Sequence, residues 1–288
     1  MNPKKIAFLT DSCADIDPKL AAENHIYIVP LRILCEDGEY LDGVNIYNAD
    51  IYERLHAGEL PKTSLPSPEE FSAVVEQILE DGFDGIAAIM MSSGLSGTYN
   101  MARLVAEGYS DRVAFRAFDS LNASLGLGMT LLQAAKDVRE GMGWEELTER
   151  RIPQLIANTK AFFSVDTLEY LLKGGRIGKV TAAAGMLLHI KPVISFSEDG
   201  QLVSVAKARG QKQVMQKLVE MTTKACGEHT RYNLAVANGG AAEAMEPLRK
   251  MQMIALPDYD HIWEGEIDGT LSVYIGDGIL GAAVQILD

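Results

Sequence analysis

The sequence predicts an α/β fold made of two α/β units with mostly parallel sheets, and three observations lead to it. Strand-length apolar runs alternate with helix-length patterns through the first half of the chain, the signature of a parallel sheet covered on both faces. Two of those runs end in the same dipeptide, Asp11-Ser12 and Asp119-Ser120, at the strand ends where open α/β sheets place their crevice. Gly141-Met142-Gly143 then breaks the chain, which sets a boundary near residues 141–151 and divides the sequence into 1–150 and 151–288.

The elements follow in order. Residues 5–10 read as a buried strand and 18–24 as the helix after it, with 26–34 continuing the alternation. Residues 68–79 form a helix with a clear start: Ser67 as N-cap, Pro68 at the first position, and Glu70 three residues after the cap. Residues 85–91 are a second buried strand, 98–107 a helix, 113–118 a third strand and 125–140 a long helix. A shorter helix from Trp144 runs into Pro153. Beyond Phe162 the pattern changes. Residues 191–196 and 202–208 read as a hairpin turning at Glu198-Asp199-Gly200. Residues 211–226 and 241–251 are helices flanking a strand at 232–237, and the tail 271–287 is punctuated by Gly276, Gly278 and Gly281.

Composition narrows the function. A net charge of −14 argues against nucleic acid and anionic lipid surfaces, both of which attract basic faces. The longest apolar runs are far too short to span a bilayer, and the apolar run after Lys4 and Lys5 has only strand length, so no signal peptide is expected. Cys13, Cys35 and Cys226 are odd in number and scattered. They fit neither a disulfide framework nor a zinc site and suggest a reducing cytoplasm.

Two hydroxyl-rich segments stand out: Thr63-Ser64-Leu65-Pro66-Ser67, and Ser92-Ser93-Gly94-Leu95-Ser96-Gly97-Thr98-Tyr99. Each sits where a strand-like run gives way to a helix. Unpaired backbone N–H groups, the helix dipole and hydroxyl donors together suit an anion there, while local turn chemistry is the plainer use of the same residues. The second segment lacks the lysine of a P-loop and the final glycine of a nucleophile elbow. The run Lys173 to Lys179 offers three cations among three glycines, either a phosphate-binding loop or a solvated helix end. The five histidines show no metal spacing, and His189 reads as a core histidine. No nucleophile–base pair, metal site or cofactor motif is evident, so an acidic headgroup would be held rather than transformed.

These segments, with Phe118-Asp119-Ser120, Gly174-Gly175-Arg176-Ile177, Ile190-Lys191-Pro192 and the glycine-rich tail, resemble the DegV family nearly end to end. The resemblance implies two α/β DegV domains that enclose one long-chain fatty acid at their interface, in an apolar tunnel. It also implies a non-catalytic, cytoplasmic carrier subunit of a bacterial fatty acid kinase, whose separate ATP-binding subunit makes an acyl phosphate for phospholipid synthesis. By position, Thr63 and Ser96 would hold the carboxylate, with Ser64, Ser93 and Tyr274 supporting the headgroup site. Arg176 and Arg209 would be basic residues at the headgroup or kinase-facing surface. The chain departs from the pattern at Tyr274, where many kinase-linked members have histidine, at Asp277, and at Leu65 in place of a polar residue. A tyrosine donates a hydrogen bond at pH 7 without bringing a positive charge. That departure keeps open a fatty acid sensor or store without a kinase. A stand-alone phosphoryl- or acyl-transfer enzyme using Asp11 and Asp119 is the other alternative.

Overall fold

A computed structural model of the chain describes residues 3–183 and 190–288; His189 lies outside them. The strands before residue 150 are β1 (Ile6–Asp11), β2 (Ile26–Val29), β3 (Arg32–Cys35), β4 (Gly38–Leu41), β5 (Lys62–Ser64), β6 (Gly85–Met90) and β7 (Ala114–Asp119). Those after it are β8 (Thr159–Ser164), β9 (Ile190–Phe196), β10 (Leu202–Arg209), β11 (Tyr232–Gly239), β12 (His261–Glu266) and β13 (Ile279–Ile286).

The first sheet has the order β2-β1-β6-β7 and is parallel throughout. Every residue of β1 and β6 is buried, as continuous apolar runs covered on both faces require. One face packs the helix Pro68–Glu80 through Phe71, Val75 and Ile78. That helix starts as its sequence indicates, with Ser67 and Glu70 forming a reciprocal capping box. The other face meets the helix Leu125–Arg139, which also packs on β8, β11, β12 and β13. This almost wholly buried helix is the layer between the two large sheets. Its glycines allow that closeness, since a Cβ on Gly128 would overlap the carbonyl of Ala14.

Residues 26–34 do not form one strand. Pro30, with no N–H to give a ladder, separates β2 from β3, which leaves the parallel sheet for a three-stranded antiparallel sheet, β4-β3-β5. Thr63 and Ser64 therefore lie in an edge strand, opposite Ile33 and Arg32, rather than in a turn.

The second large sheet has the order β10-β9-β8-β13-β11-β12, and here the expected parallel arrangement gives way to a mixed one. Only β11 and β12 run parallel; the other four pairs are antiparallel. The reason is local connection. β9 and β10 are joined by the tight turn at Asp199-Gly200, and antiparallel neighbours need no crossover helix. β13, from the glycine-punctuated tail, enters between β8 and β11 and pairs antiparallel with both.

Trp144 to Asn158 is one continuous helical stretch whose middle, Leu147–Arg151, widens into a π-turn just before Pro153, where the regular ladder would lack a donor. Arg151 at its end is buried. It donates to Asp137 at 2.6 Å, to Gln154 at 3.1 Å and to the carbonyl of Leu287 at 3.0 Å, tying the chain's end to the central helix. Arg151→Met would leave the Asp137 carboxylate buried without its counter-ion. Urea unfolding should show a loss of about 3–5 kcal/mol; a loss below about 1 kcal/mol would mean that the pair contributes no net stability.

Candidate functional site

Between the second large sheet and the start of the helix Leu125–Arg139 lies a cavity of about 890 Å³ of empty space, its open mouth included. Both halves of the chain line it. Leu31, Met91 and Leu125 come from the first half, Phe163, Phe196 and Ala283 from the second, and the walls are overwhelmingly apolar. Thr63, Ser96, Arg176 and Tyr274 also reach this lining; Ser64, Ser93 and Arg209 do not.

Each placement has a local cause. In a strand successive side chains point to opposite faces, so half-buried Thr63 faces inward and Ser64 is exposed. Thr63 Oγ1 and the hydroxyl of Tyr274 lie 2.6 Å apart, 211 residues distant in sequence. Ser96 sits in the loop entering the helix Thr98–Gly108, whose N-cap Gly97 offers no side-chain cap. The Ser96 hydroxyl pairs with Thr98 Oγ1 at 2.7 Å. The two hydroxyl neighbourhoods meet through Leu65, whose Cδ1 lies 3.2 Å from where a Cβ on Gly97 would stand. Leu65 thus makes an apolar contact between strand and loop.

Within each hydroxyl pair one proton is shared and the partner's proton stays free. The site therefore presents two O–H donors beside a helix start, where N–H groups and dipole favour an anion. Arg176 brings the positive charge. Its guanidinium lies 4.9 Å from the centre of the Tyr274 ring and spends one N–H on the carbonyl of Gly174 at 2.8 Å. Gly174 is required here, because a Cβ would overlap the Tyr274 ring.

The remaining serines of the loop have other work. Ser92 Oγ donates to the carbonyl of Gly200 at 2.7 Å, linking the loop to the β9–β10 turn. Ser93 is exposed, and its backbone N–H donates to Asp119 at 3.0 Å. Arg209 is exposed at the end of β10, away from the cavity. The sequence reading missed Thr270, one helical turn before Tyr274. It lines the same cavity, and its hydroxyl oxygen is buried without a hydrogen-bond partner among the described residues. The spacing of four from Tyr274 was the available signal.

The Asp-Ser echo resolves into turns. Asp11 accepts from the N–H groups of Cys13 at 3.1 Å and Met91 at 2.9 Å; Asp119 accepts from those of Ser93 and Leu121, both at 3.0 Å. Behind the cavity, Asp11, Asp15, Asp42 and Asp268 gather. Asp42 accepts from the N–H groups of Gly269 at 3.0 Å and Thr270 at 3.2 Å, and Asp15 from that of Asp268 at 2.9 Å. Asp268 in turn caps the helix Gly269–Ile275 by accepting from Leu271 N–H at 2.8 Å. This acidic set therefore holds in place the helix that presents Thr270 and Tyr274.

The model of the family described as "Uncharacterised protein, DegV family" matches residues 5–286, and the chain belongs to the DegV family. A DegV domain-containing protein of Clostridium acetobutylicum is 36% identical, over 98% of this chain and 99% of that protein. A structure titled for fatty acid binding of a DegV family protein from Thermus thermophilus superposes with a TM-score of 0.91 at 29% identity, covering 99% of this chain and 100% of that one. A stearic acid-binding protein from Eubacterium ventriosum matches with a TM-score of 0.87 at 27% identity, covering 98% of each. Among the described residues no helix is long and apolar enough to cross a membrane.

The acidic set makes stability depend on pH. Burial raises Asp11 from 3.8 to about 7 and Asp15 to about 6; burial and then the neighbouring Asp15 push Asp268 well up too. The folded chain therefore holds more protons than the unfolded one from about pH 4 upward, and stability falls as pH rises through that window. Thermal midpoints should drop between about pH 5 and pH 8. Asp268→Asn keeps an oxygen for Leu271 N–H and removes one titrating group, so it should flatten the curve. A midpoint that rises over the same range would contradict the assignment.

Proposed function

We propose that the protein binds a long-chain fatty acid in this cavity, with the carboxylate at Thr63, Ser96, Tyr274 and Arg176. One observation carries the reading: an apolar cavity is lined by members of two hydroxyl pairs, Thr63–Tyr274 and Ser96–Thr98, with a guanidinium beside them. Apolar walls supply affinity, about 0.8 kcal/mol per buried methylene, and the few polar groups fix orientation. The DegV relatives titled as fatty acid binding support the same ligand class. On this reading residues 1–150 and 151–288 are the two halves that close on the acid, with Ser64 and Ser93 at the site's solvent side.

We infer further that the bound acid is presented, untransformed, to a partner ATP-dependent kinase that phosphorylates the carboxylate. The support is the family resemblance, the exposure of Arg176 at the cavity and of Arg209 on β10, and free Cys13, Cys35 and Cys226, which suit a reducing cytoplasm. Tyr274 favours a second reading. Its hydroxyl is engaged with Thr63 and its ring with Arg176, so the headgroup can be held by a protein that stores or senses the acid without any kinase.

Organic extraction of the purified protein followed by mass spectrometry tests the ligand. A near-stoichiometric long-chain acid supports the carrier reading, and a protein that is empty and refuses added acid refutes it. Ser96→Ala and Thr63→Ala should each weaken binding by roughly 1.5–3 kcal/mol, the range for a hydrogen bond to a charged group, without unfolding the protein. Unchanged affinity in the double variant would remove these hydroxyls from the site. ATP-dependent acyl phosphate formation with an added kinase subunit separates carrier from store.

A further inference from the structure

The second large sheet turns one face toward the cavity, and the register of three adjacent strands decides what that face presents. Phe163, Gly281 and Ala237 lie side by side across β8, β13 and β11. Two residues farther along, Ala161, Ala283 and Ala235 form the next row. Alternate residues of a strand share a face, and all six line the cavity. Except for Phe163, this floor is glycine and alanine, which leaves the space above it open.

One more step of two residues brings the same face to Thr159, Gln285 and Asn233. None of these lines the cavity. They are buried and hydrogen-bonded across the strands: Gln285 Nε2 donates to Thr159 Oγ1 at 2.9 Å, and Asn233 Nδ2 to Gln285 Oε1 at 3.2 Å. The central helix closes the row from above. Asn233 Nδ2 also donates to Gln133 Oε1 at 2.8 Å, and Thr130 Oγ1 lies 3.4 Å from Thr159 Oγ1. Thr130 itself donates to the carbonyl of Gly126, a cavity residue one turn back. Floor and roof thus change from apolar to polar at the same level. Among the described residues Asn233 Oδ1 is buried with no partner, so this end holds unspent polar capacity.

We propose that the Thr159–Gln285–Asn233 row, roofed by Thr130 and Gln133, is the far end of the acyl site and sets the longest chain it accepts. The proposal rests on the fatty acid reading above. β13 follows directly on the Tyr274 segment, so Gly281 lies toward the headgroup end and Ala283 toward the tail. A chain advancing past Ala283 would have to part hydrogen bonds whose groups have no water to turn to, and a methyl group offers nothing in return.

The test is equilibrium binding of saturated acids of about 12 to 20 carbons to the wild-type chain and to Ala283→Leu, with the co-purifying acid identified in both. Leucine at 283 fills the last apolar row. Acids at the wild-type upper limit should lose about fifteenfold in affinity for every two methylenes displaced, while shorter acids bind as before. Ala235→Val, in the same row on β11, should shift the preference the same way and serves if the leucine variant fails to fold. Gln285→Met, similar in size and without the amide, should admit longer acids. If the row variants bind every length in the wild-type order, the proposed limit is wrong and fatty acid binding stands. A wild-type chain that binds no acid of any length overturns both.

Discussion

β13 occupies the middle of the second large sheet although it comes last of the strands, and the arrangement of the site follows from that insertion. Its eight residues are buried on both faces and pair with β8 on one side and β11 on the other. Entering there requires the segment before it, Gly276 to Gly278, to turn sharply. Both glycines have left-handed backbone, with φ of 70° and 75°, a region that costs glycine nothing. The turn in turn fixes the helix Gly269–Ile275 and brings Tyr274 to Thr63 across 211 residues of sequence. The small residues of β13 leave the cavity open, and its one buried glutamine joins the polar row beyond it.

A second constraint works from the opposite side. The helix bearing Tyr274 is held from the first half of the chain by carboxylates rather than by apolar packing alone. Asp42 and Asp15 accept backbone N–H groups at the start of that helix, and Asp268 caps it. Burying several carboxyls together is unfavourable for their charged forms, so Asp15 and Asp268 keep their protons to higher pH than a free carboxyl does. Such a junction is directional. Apolar surfaces could slide over one another, whereas N–H groups aimed at particular oxygens admit one register.

Much of this was legible in the residues. The parallel first sheet followed from continuous apolar runs, and the start of the helix Pro68–Glu80 from Ser67, Pro68 and Glu70, because these signals are local. The pairing of Thr63 with Tyr274 was not legible as geometry, nor was the division at Pro30 that turns residues 32–35 into a separate sheet. The mixed direction of the second sheet was hidden for the same reason: strand order is a long-range property, and the run 279–286 looks alike in any position. Of the residues expected at the headgroup, the strand's alternation separates Thr63 from Ser64, and the loop gives Ser93 to solvent. Thr270 escaped notice because a lone threonine in an apolar tail carries no motif; only its helical spacing from Tyr274 connects it to the site.

The central position of β13 also bears on how the molecule comes into being. Thr159 and Gln285, 126 residues apart, must meet before β8 and β11 have a common neighbour, so the second sheet is joined into one only when its last strand arrives. Contacts this distant in sequence slow the search for the native topology. The first sheet, whose strands all lie before residue 120, is free to assemble earlier. The cavity is floored by β8, β13 and β11 together, so its binding space is complete only once the last strand is in place.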